Sequence, residues 1–168
     1  MRRSPLTAER TILIVDDSLV TREIATVALE QAGWEATSVT SGEEGVTAAA
    51  AQQPDAVLLD VELPGMDGPA TLAALRRGRL TRAIPVVFLT GHDDPGLLAG
   101  LVGLGAAGVL TKPVHVALLP GQLSALLGWR RMRGAAGETA APLRREGSPP
   151  PLLAHAWARH RTTIFEQV

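Results

Sequence analysis

The sequence predicts an α/β protein built on a doubly wound parallel sheet, and two observations predict this class. Short apolar runs of strand length alternate five times, within residues 10–128, with segments whose apolar residues follow the helical period. Some strand runs, such as residues 56–59, are apolar on both faces. Strands of this kind are typical of parallel sheets that carry helices on both sides.

The composition restricts the class further. A chain of 168 residues with 46% apolar residues suits one domain and an appendage. The 16 basic residues nearly balance the 17 acidic ones, so the total charge does not indicate nucleic-acid binding. The absence of cysteine excludes disulfides and thiolate zinc sites and suits a reducing compartment. No apolar signal region follows the basic residues 1–5, and the uncharged run 95–111 is shorter than the roughly 20 residues of a membrane helix. We therefore expect a cytoplasmic protein.

The strands and the first helices are bounded by clear signals. We expect strands at residues 11–15, 34–40, 56–60, 84–90 and 109–111. Helix starts are indicated by Ser18 as an N-cap, by Ser41 with Glu44 at the spacing of a capping box, and by Pro69 at the first helical position. Gly33 ends the first helix as a C′ residue.

The last two helices are less regular. Asp93 or Asp94 caps the fourth helix, and Gly105 ends it. Its interior glycines each cost roughly 1 kcal/mol of helix propensity relative to alanine. We expect a loosely held helix whose order changes with the signalling state or which a partner completes. The fifth helix either begins near Pro120 or is kinked there, and we expect it to run on to residues 130–134.

Polar side chains stand at the ends of four predicted strands. Asp16 and Asp17 follow the first strand, and Asp60, Thr90 and Lys112 end the third, fourth and fifth. Lys112 is the only lysine in the chain. The carboxyl ends of parallel strands meet at one edge of a sheet, where reactive groups gather.

This set of groups suits magnesium-dependent phosphoryl transfer to an aspartate. Clustered carboxylates repel one another and persist where a hard cation binds among them, and Mg²⁺ prefers such oxygen ligands. A carboxylate can attack phosphorus, while a metal ion and an ammonium neutralise the phosphoryl oxygens.

Four segments, in this order, make the chain similar to a known family. Residues 12–18, 60–68, 89–92 and 110–113 resemble the motifs of the receiver domain of bacterial response regulators, and the resemblance covers residues 10–128. It implies a flavodoxin-like (βα)5 fold with strand order 2-1-3-4-5. It also implies a function in two-component signal transduction, with a histidine kinase or a phosphotransfer protein as partner.

The resemblance implies a role for each site residue. Asp60 would be the phosphoacceptor, and Thr90 and Lys112 would contact the phosphoryl group. Mg²⁺ would be held by Asp16, Asp17, Asp60 and the main-chain carbonyl of Glu62. Glu62 and His92 occupy positions that resemble those tuning the lifetime of the phosphoryl group in the family, although each is more simply interpreted as an ordinary loop residue. The Lys112–Pro113 peptide resembles the family's cis bond.

The sequence departs from the family at the switch. Thr90 occupies its hydroxyl position, but Val109 stands where the family usually has Phe or Tyr, and the chain contains no Tyr. The family's usual transmission of the signal by an aromatic side chain is therefore in doubt.

Three functions are compatible with these observations. The leading hypothesis is a phosphoacceptor without enzymatic or DNA-binding output, acting on an unknown protein through its fourth helix, fifth strand and fifth helix or through its tail, with a homodimer also open. A docking or dimerisation module that works without phosphorylation is the alternative. A haloacid-dehalogenase-type phosphatase fits less well. Its nucleophile ends the first strand in an Asp-x-Asp motif, whereas the first strand of this chain ends in Asp16-Asp17. We expect residues 129–168 to be largely linker or disordered chain, with a short amphipathic helix near 152–161 left open.

Overall fold

The computed structural model describes residues 10–129, which form one five-stranded parallel sheet with five helices. The strands are β1 (Thr11–Val15), β2 (Glu35–Val39), β3 (Ala56–Asp60), β4 (Val86–Thr90) and β5 (Gly108–Thr111). The helices are α1 (Leu19–Gln31), α2 (Gly42–Gln52), α3 (Gly68–Arg77), α4 (Pro95–Gly103) and α5 (Leu119–Leu126).

The strands lie in the order β2-β1-β3-β4-β5, and every neighbouring pair is parallel. The predicted fold class and strand order are therefore confirmed. The helix left open near residues 152–161 lies outside residues 10–129.

Both faces of the sheet are buried, as the apolar runs predict. Successive residues of a strand point to opposite faces. In β1, Ile12 and Ile14 join the core under α1 and α5, while Leu13 and Val15 join the core under α2, α3 and α4. Two cores therefore share one sheet. This explains why β3 and β4 are buried at every position.

Side-chain caps begin four of the helices. Ser18, Ser41, Asp67 and Asp94 each accept a hydrogen bond from a main-chain N–H of the first turn. The expected capping box of α2 is changed in one detail. The Glu44 carboxylate accepts from the main-chain N–H of Thr40 at 3.0 Å, one residue before the capping serine.

The prediction for the end of α5 was wrong. The helix begins next to Pro120, as one alternative had it, but ends at Leu126 instead of running into residues 130–134. Gly128 then adopts a left-handed conformation with φ of 65°. This turns Trp129 back to pack edge-to-face on Trp34 at 5.5 Å between ring centroids. The helix thus ends at a glycine in the C′ position, and the contact between Trp129 and Trp34 holds the chain that follows.

Candidate functional site at the carboxyl edge of the sheet

Three carboxylates meet where β1 and β3 end side by side. Asp16, Asp17 and Asp60 each offer an oxygen within 4.8 Å of the others'. Asp16 is fully buried and Asp60 is 3% exposed, whereas Asp17 is exposed. The parallel pairing of β1 with β3 brings these residues together, as the sequence predicts.

Lys112 connects the two buried carboxylates. Its Nζ lies 3.0 Å from Asp60 Oδ2 and 2.9 Å from Asp16 Oδ2. Its main-chain N–H donates to the carbonyl of Thr90 at 2.7 Å, which holds the end of β5 against β4. The Lys112–Pro113 peptide is cis, as the resemblance implies. The only lysine of the chain therefore lies at the centre of the site.

The environment changes the proton affinity of both partners. Burial raises the pKa of Asp60, and the charge of Asp16 raises it further, against the opposing effect of the hydrogen bond from Lys112. Burial alone would lower the pKa of Lys112, but its contacts with Asp16 and Asp60 outweigh this and raise it. Ionised Asp60 is thus held in a site that disfavours its charge, and Lys112 remains an ammonium.

The donor set fits a hard divalent cation. Asp16 Oδ1 accepts a hydrogen bond from the main-chain N–H of Ser18 at 2.8 Å. Its other oxygen, the buried Oδ2, contacts the Lys112 ammonium at 2.9 Å. Three carboxylates share this edge with one ammonium, and Mg²⁺ would relieve the repulsion between them.

Two loops surround Asp60. The main-chain N–H of Glu62 donates to Asp60 Oδ1 at 3.1 Å, and the main-chain N–H of His92 donates to Thr90 Oγ1 at 3.1 Å. The side chains of Glu62 and His92 meet, with Oε1 and Nε2 2.6 Å apart. The sequence suggested a role for each of these two residues separately but did not indicate that they form a pair.

Val109 lies beside the site without contributing a polar group. It is half-buried and packs on the core under α4, together with Leu97 and Ala106. The valine side chain is small and aliphatic, whereas the Phe or Tyr usual at this position has a larger aromatic surface.

Sequence reasoning missed two residues that shape the site. Arg22 donates from its guanidinium to the main-chain carbonyl of Asp16 at 2.7 Å, from the second turn of α1. Gly68 lies so close to β3 that a Cβ there would come 2.5 Å from the carbonyl oxygen of Asp60. The turn at Gly68 was visible in the sequence, but this contact was not, and nothing marks Arg22 among 15 arginines.

The fold and the site together define a class: doubly wound proteins that gather acidic side chains, a hydroxyl and an ammonium at the carboxyl ends of their strands. Residues 12–123 match the response regulator receiver domain, which covers more than half of the chain. The chain belongs to this family.

Individual relatives agree with this assignment. PilH of Pseudomonas aeruginosa is 35% identical over 116 residues, which are 69% of this chain and 96% of PilH. The phosphate regulon regulator PhoB of the same organism is 36% identical over 135 residues, 80% of this chain and 57% of PhoB. The structure of the chemotaxis response regulator CheY4 of Vibrio cholerae is similar with a TM-score of 0.67 and 28% identity, over 71% of this chain and 99% of CheY4.

The family has direct consequences. The chain spans only 49–59% of the length of several transcriptional regulators that it matches. Receiver domains are modules of two-component signal transduction rather than classical enzymes. Receiver domains bind Mg²⁺ at an acidic pocket. Within residues 10–129, no helix has the length and apolar character to cross a membrane.

Proposed function

We propose that this protein accepts a phosphoryl group on Asp60 from a partner histidine kinase, in a Mg²⁺-dependent reaction. The observation that supports this most strongly is the position of Asp60. Its carboxylate is nearly buried, lies beside two other carboxylates and is 3.0 Å from Lys112 Nζ. A buried carboxylate whose pKa is raised is a better nucleophile than a solvated one, because less hydration opposes its attack.

The proposed reaction is an in-line displacement. An oxygen of Asp60 attacks phosphorus and forms the new O–P bond. The bond from phosphorus to the leaving group breaks, and the leaving group keeps the electron pair; it is the imidazole nitrogen of the kinase or the carboxylate of acetyl phosphate. Lys112 neutralises charge on the phosphoryl oxygens, and the hydroxyl of Thr90 donates a hydrogen bond to one of them.

The clustered carboxylates and the resemblance to the family support a proposal for the metal ligands. Asp17, Asp60 and the main-chain carbonyl of Glu62 would hold Mg²⁺ directly, with Asp16 acting through water. A bound Mg²⁺ supplies positive charge that lowers the repulsion between carboxylates and phosphoryl oxygens. Arg22 supports this arrangement by fixing the main chain at Asp16.

The proposed domain division and output follow from the described part and the relatives. Residues 10–128, to which Trp129 is added by its contact with Trp34, form the receiver domain, and the remaining chain is an extension. We propose output by protein–protein contacts through α4, β5 and α5 or through the extension, in the cytoplasm. PilH, which matches over 96% of its length, supports a receiver that works without an attached DNA-binding domain.

Labelling of the Asp60→Asn variant tests this function. With acetyl phosphate and Mg²⁺, the wild-type protein should gain the mass of one phosphoryl group in intact-protein mass spectrometry, and Asp60→Asn should gain none. Asp67→Asn is the matched control, since asparagine also caps α3. A phosphoryl group on another residue of Asp60→Asn, or no labelling of the wild type with or without its kinase, would refute the proposed site.

The second candidate function is docking or dimerisation without phosphorylation. Val109 favours it, because an aliphatic residue cannot swing between two positions as an aromatic ring does. Under this hypothesis Asp60→Asn would retain full signalling in the cell. Loss of signalling in that variant, with normal protein levels, would exclude it.

A further inference from the structure

The Glu62–His92 pair joins the two loops that flank Asp60. Its Oε1 and Nε2 atoms are 2.6 Å apart although the residues are 30 positions apart in the chain. Both side chains are more than half exposed, at 66% and 57%. An exposed pair of this kind is held by its own geometry and charge rather than by packing, so small changes nearby can break it.

The main chain ties both members of this pair to the reacting groups. Glu62 donates its N–H to Asp60 Oδ1, and His92 donates its N–H to Thr90 Oγ1, each at 3.1 Å. A change in the hydrogen bonding of Asp60 or Thr90 therefore reaches the pair through single hydrogen bonds.

Helix α4 begins at Pro95, three residues after His92. Its cap, Asp94, accepts from the N–H of Leu97 at 2.9 Å. The helix has three glycines, at positions 96, 100 and 103, and only Leu101 is buried. In the first turn Leu97 packs on the core but is only partly buried, so little packing holds this turn in place.

The far end of α4 is held more firmly. The guanidinium of Arg76 donates to the carbonyl of Gly105 at 3.1 Å and to the carbonyl of Ile84 at 2.9 Å. These bonds tie the residues after α4 to the start of β4. A displacement at His92 should therefore move the first turn of α4 about a fixed far end.

We propose that the Glu62–His92 pair is a latch that holds the first turn of α4, and that phosphorylation opens it and so transmits the signal that Val109 cannot. This inference rests on the proposed phosphorylation of Asp60. A phosphoryl group beside Glu62 adds negative charge that repels its carboxylate. The same group offers oxygens that compete for the His92 ring N–H. The latch supplies the two-state element that a signal between two regions needs.

Hydrogen exchange of residues 93–105, with and without beryllofluoride as the phosphoryl mimic, tests the latch. In the wild type, beryllofluoride should speed exchange in the first turn of α4 about threefold or more. Glu62→Ala and His92→Ala should already show this faster exchange without the mimic, and beryllofluoride should add little. The double variant should exchange no faster than either single variant, because each change breaks the same bond.

The control and the independent readout keep the result interpretable. Asp93→Ala removes an exposed charge from the same loop without touching the latch, and it should behave as the wild type does. Fluorine NMR of bound beryllofluoride reports occupancy of Asp60 in the same samples. If beryllofluoride speeds exchange in the latch variants as much as in the wild type, at equal occupancy of Asp60, the latch proposal is wrong. Failure of beryllofluoride to bind would instead count against the proposed function. Exchange of the ligand-free single and double variants would still decide whether the pair holds α4.

Discussion

The two edges of the sheet place aspartate side chains in opposite electrostatic environments. At the carboxyl edge, Asp60 ends β3 nearly buried, among other carboxylates and with a raised pKa. At the opposite edge, Asp55 precedes the same strand and is well satisfied. It accepts from the N–H of Thr11 at 2.8 Å and lies 3.8 Å from the guanidinium of Arg10.

Aromatic packing completes the satisfied edge. Trp129 packs on Trp34, and the guanidinium carbon of Arg10 lies 4.4 Å from the centre of a Trp129 ring. These contacts connect the end of α5 to the start of β1 and stabilise the fold. The comparison shows that one edge of the sheet is built for stability and the other holds unfavourable charge that a ligand can relieve.

The largest expected effect comes from removing the positive charge of Lys112 from the carboxyl edge. Lys112→Met should slow Mg²⁺-dependent labelling by acetyl phosphate about 100-fold, because one preorganised group that stabilises the transferring oxygens is lost. Time courses of phosphoprotein measure this rate. Arg79→Met removes an exposed positive charge elsewhere and should leave the rate unchanged. A loss below threefold in Lys112→Met would show that Lys112 serves the fold and not the reaction.

A methyl group at Gly68 should damage the carboxyl edge by contact alone. Its Cβ would lie 2.5 Å from the carbonyl oxygen of Asp60 and 2.7 Å from the Cα of Val61, and neither backbone group can yield freely. We expect Gly68→Ala to lose about 2–3 kcal/mol in urea unfolding, as overpacked cores do, and to label more slowly. Gly91→Ala is the matched control, since no atom lies within 4 Å of its Cβ. Equal stability of the two variants would contradict this account.

Removing the aromatic contact should affect only the opposite edge. Trp129→Ala should lower the free energy of unfolding by about 2 kcal/mol, less than for a fully buried tryptophan. Its labelling rate should stay at the wild-type value. Urea unfolding measures the free energy of unfolding, and acetyl phosphate labelling measures the rate of phosphorylation. Leu118→Ala removes an exposed apolar side chain and should change stability little. A labelling defect in Trp129→Ala at full folding would show that the two edges are coupled.

The smallest expected effect is a gain in stability from neutralising Asp60. Because its folded pKa is raised, the ionised carboxylate costs stability, and this cost appears as pH rises through the folded pKa. Asp60→Asn should therefore be more stable than the wild type at neutral pH without Mg²⁺.

Thermal unfolding at several pH values checks this expectation. The difference should disappear in acid, where Asp60 of the wild type is protonated. Mg²⁺ should stabilise the wild type and reduce the difference at neutral pH. A variant that is less stable than the wild type at neutral pH would show that the Lys112–Asp60 contact outweighs burial and repulsion.

The sequence by itself determined the elements and the composition of the candidate site. Runs of apolar residues predicted strands buried on both faces, and Ser18 and Ser41 predicted helix starts. These signals are local, since each depends on residues within one strand or one helical turn. The polar residues at the strand ends were visible for the same reason, and parallel pairing then placed Asp16, Asp17 and Asp60 together.

Only the tertiary structure decided which distant side chains meet. Glu62 pairs with His92, Arg22 donates to the main chain of Asp16, and Trp129 packs on Trp34. No periodic pattern encodes such contacts, because they join residues from separate elements whose spacing in the chain is arbitrary. Their energies arise only after the sheet has formed and brought its loops to a common edge.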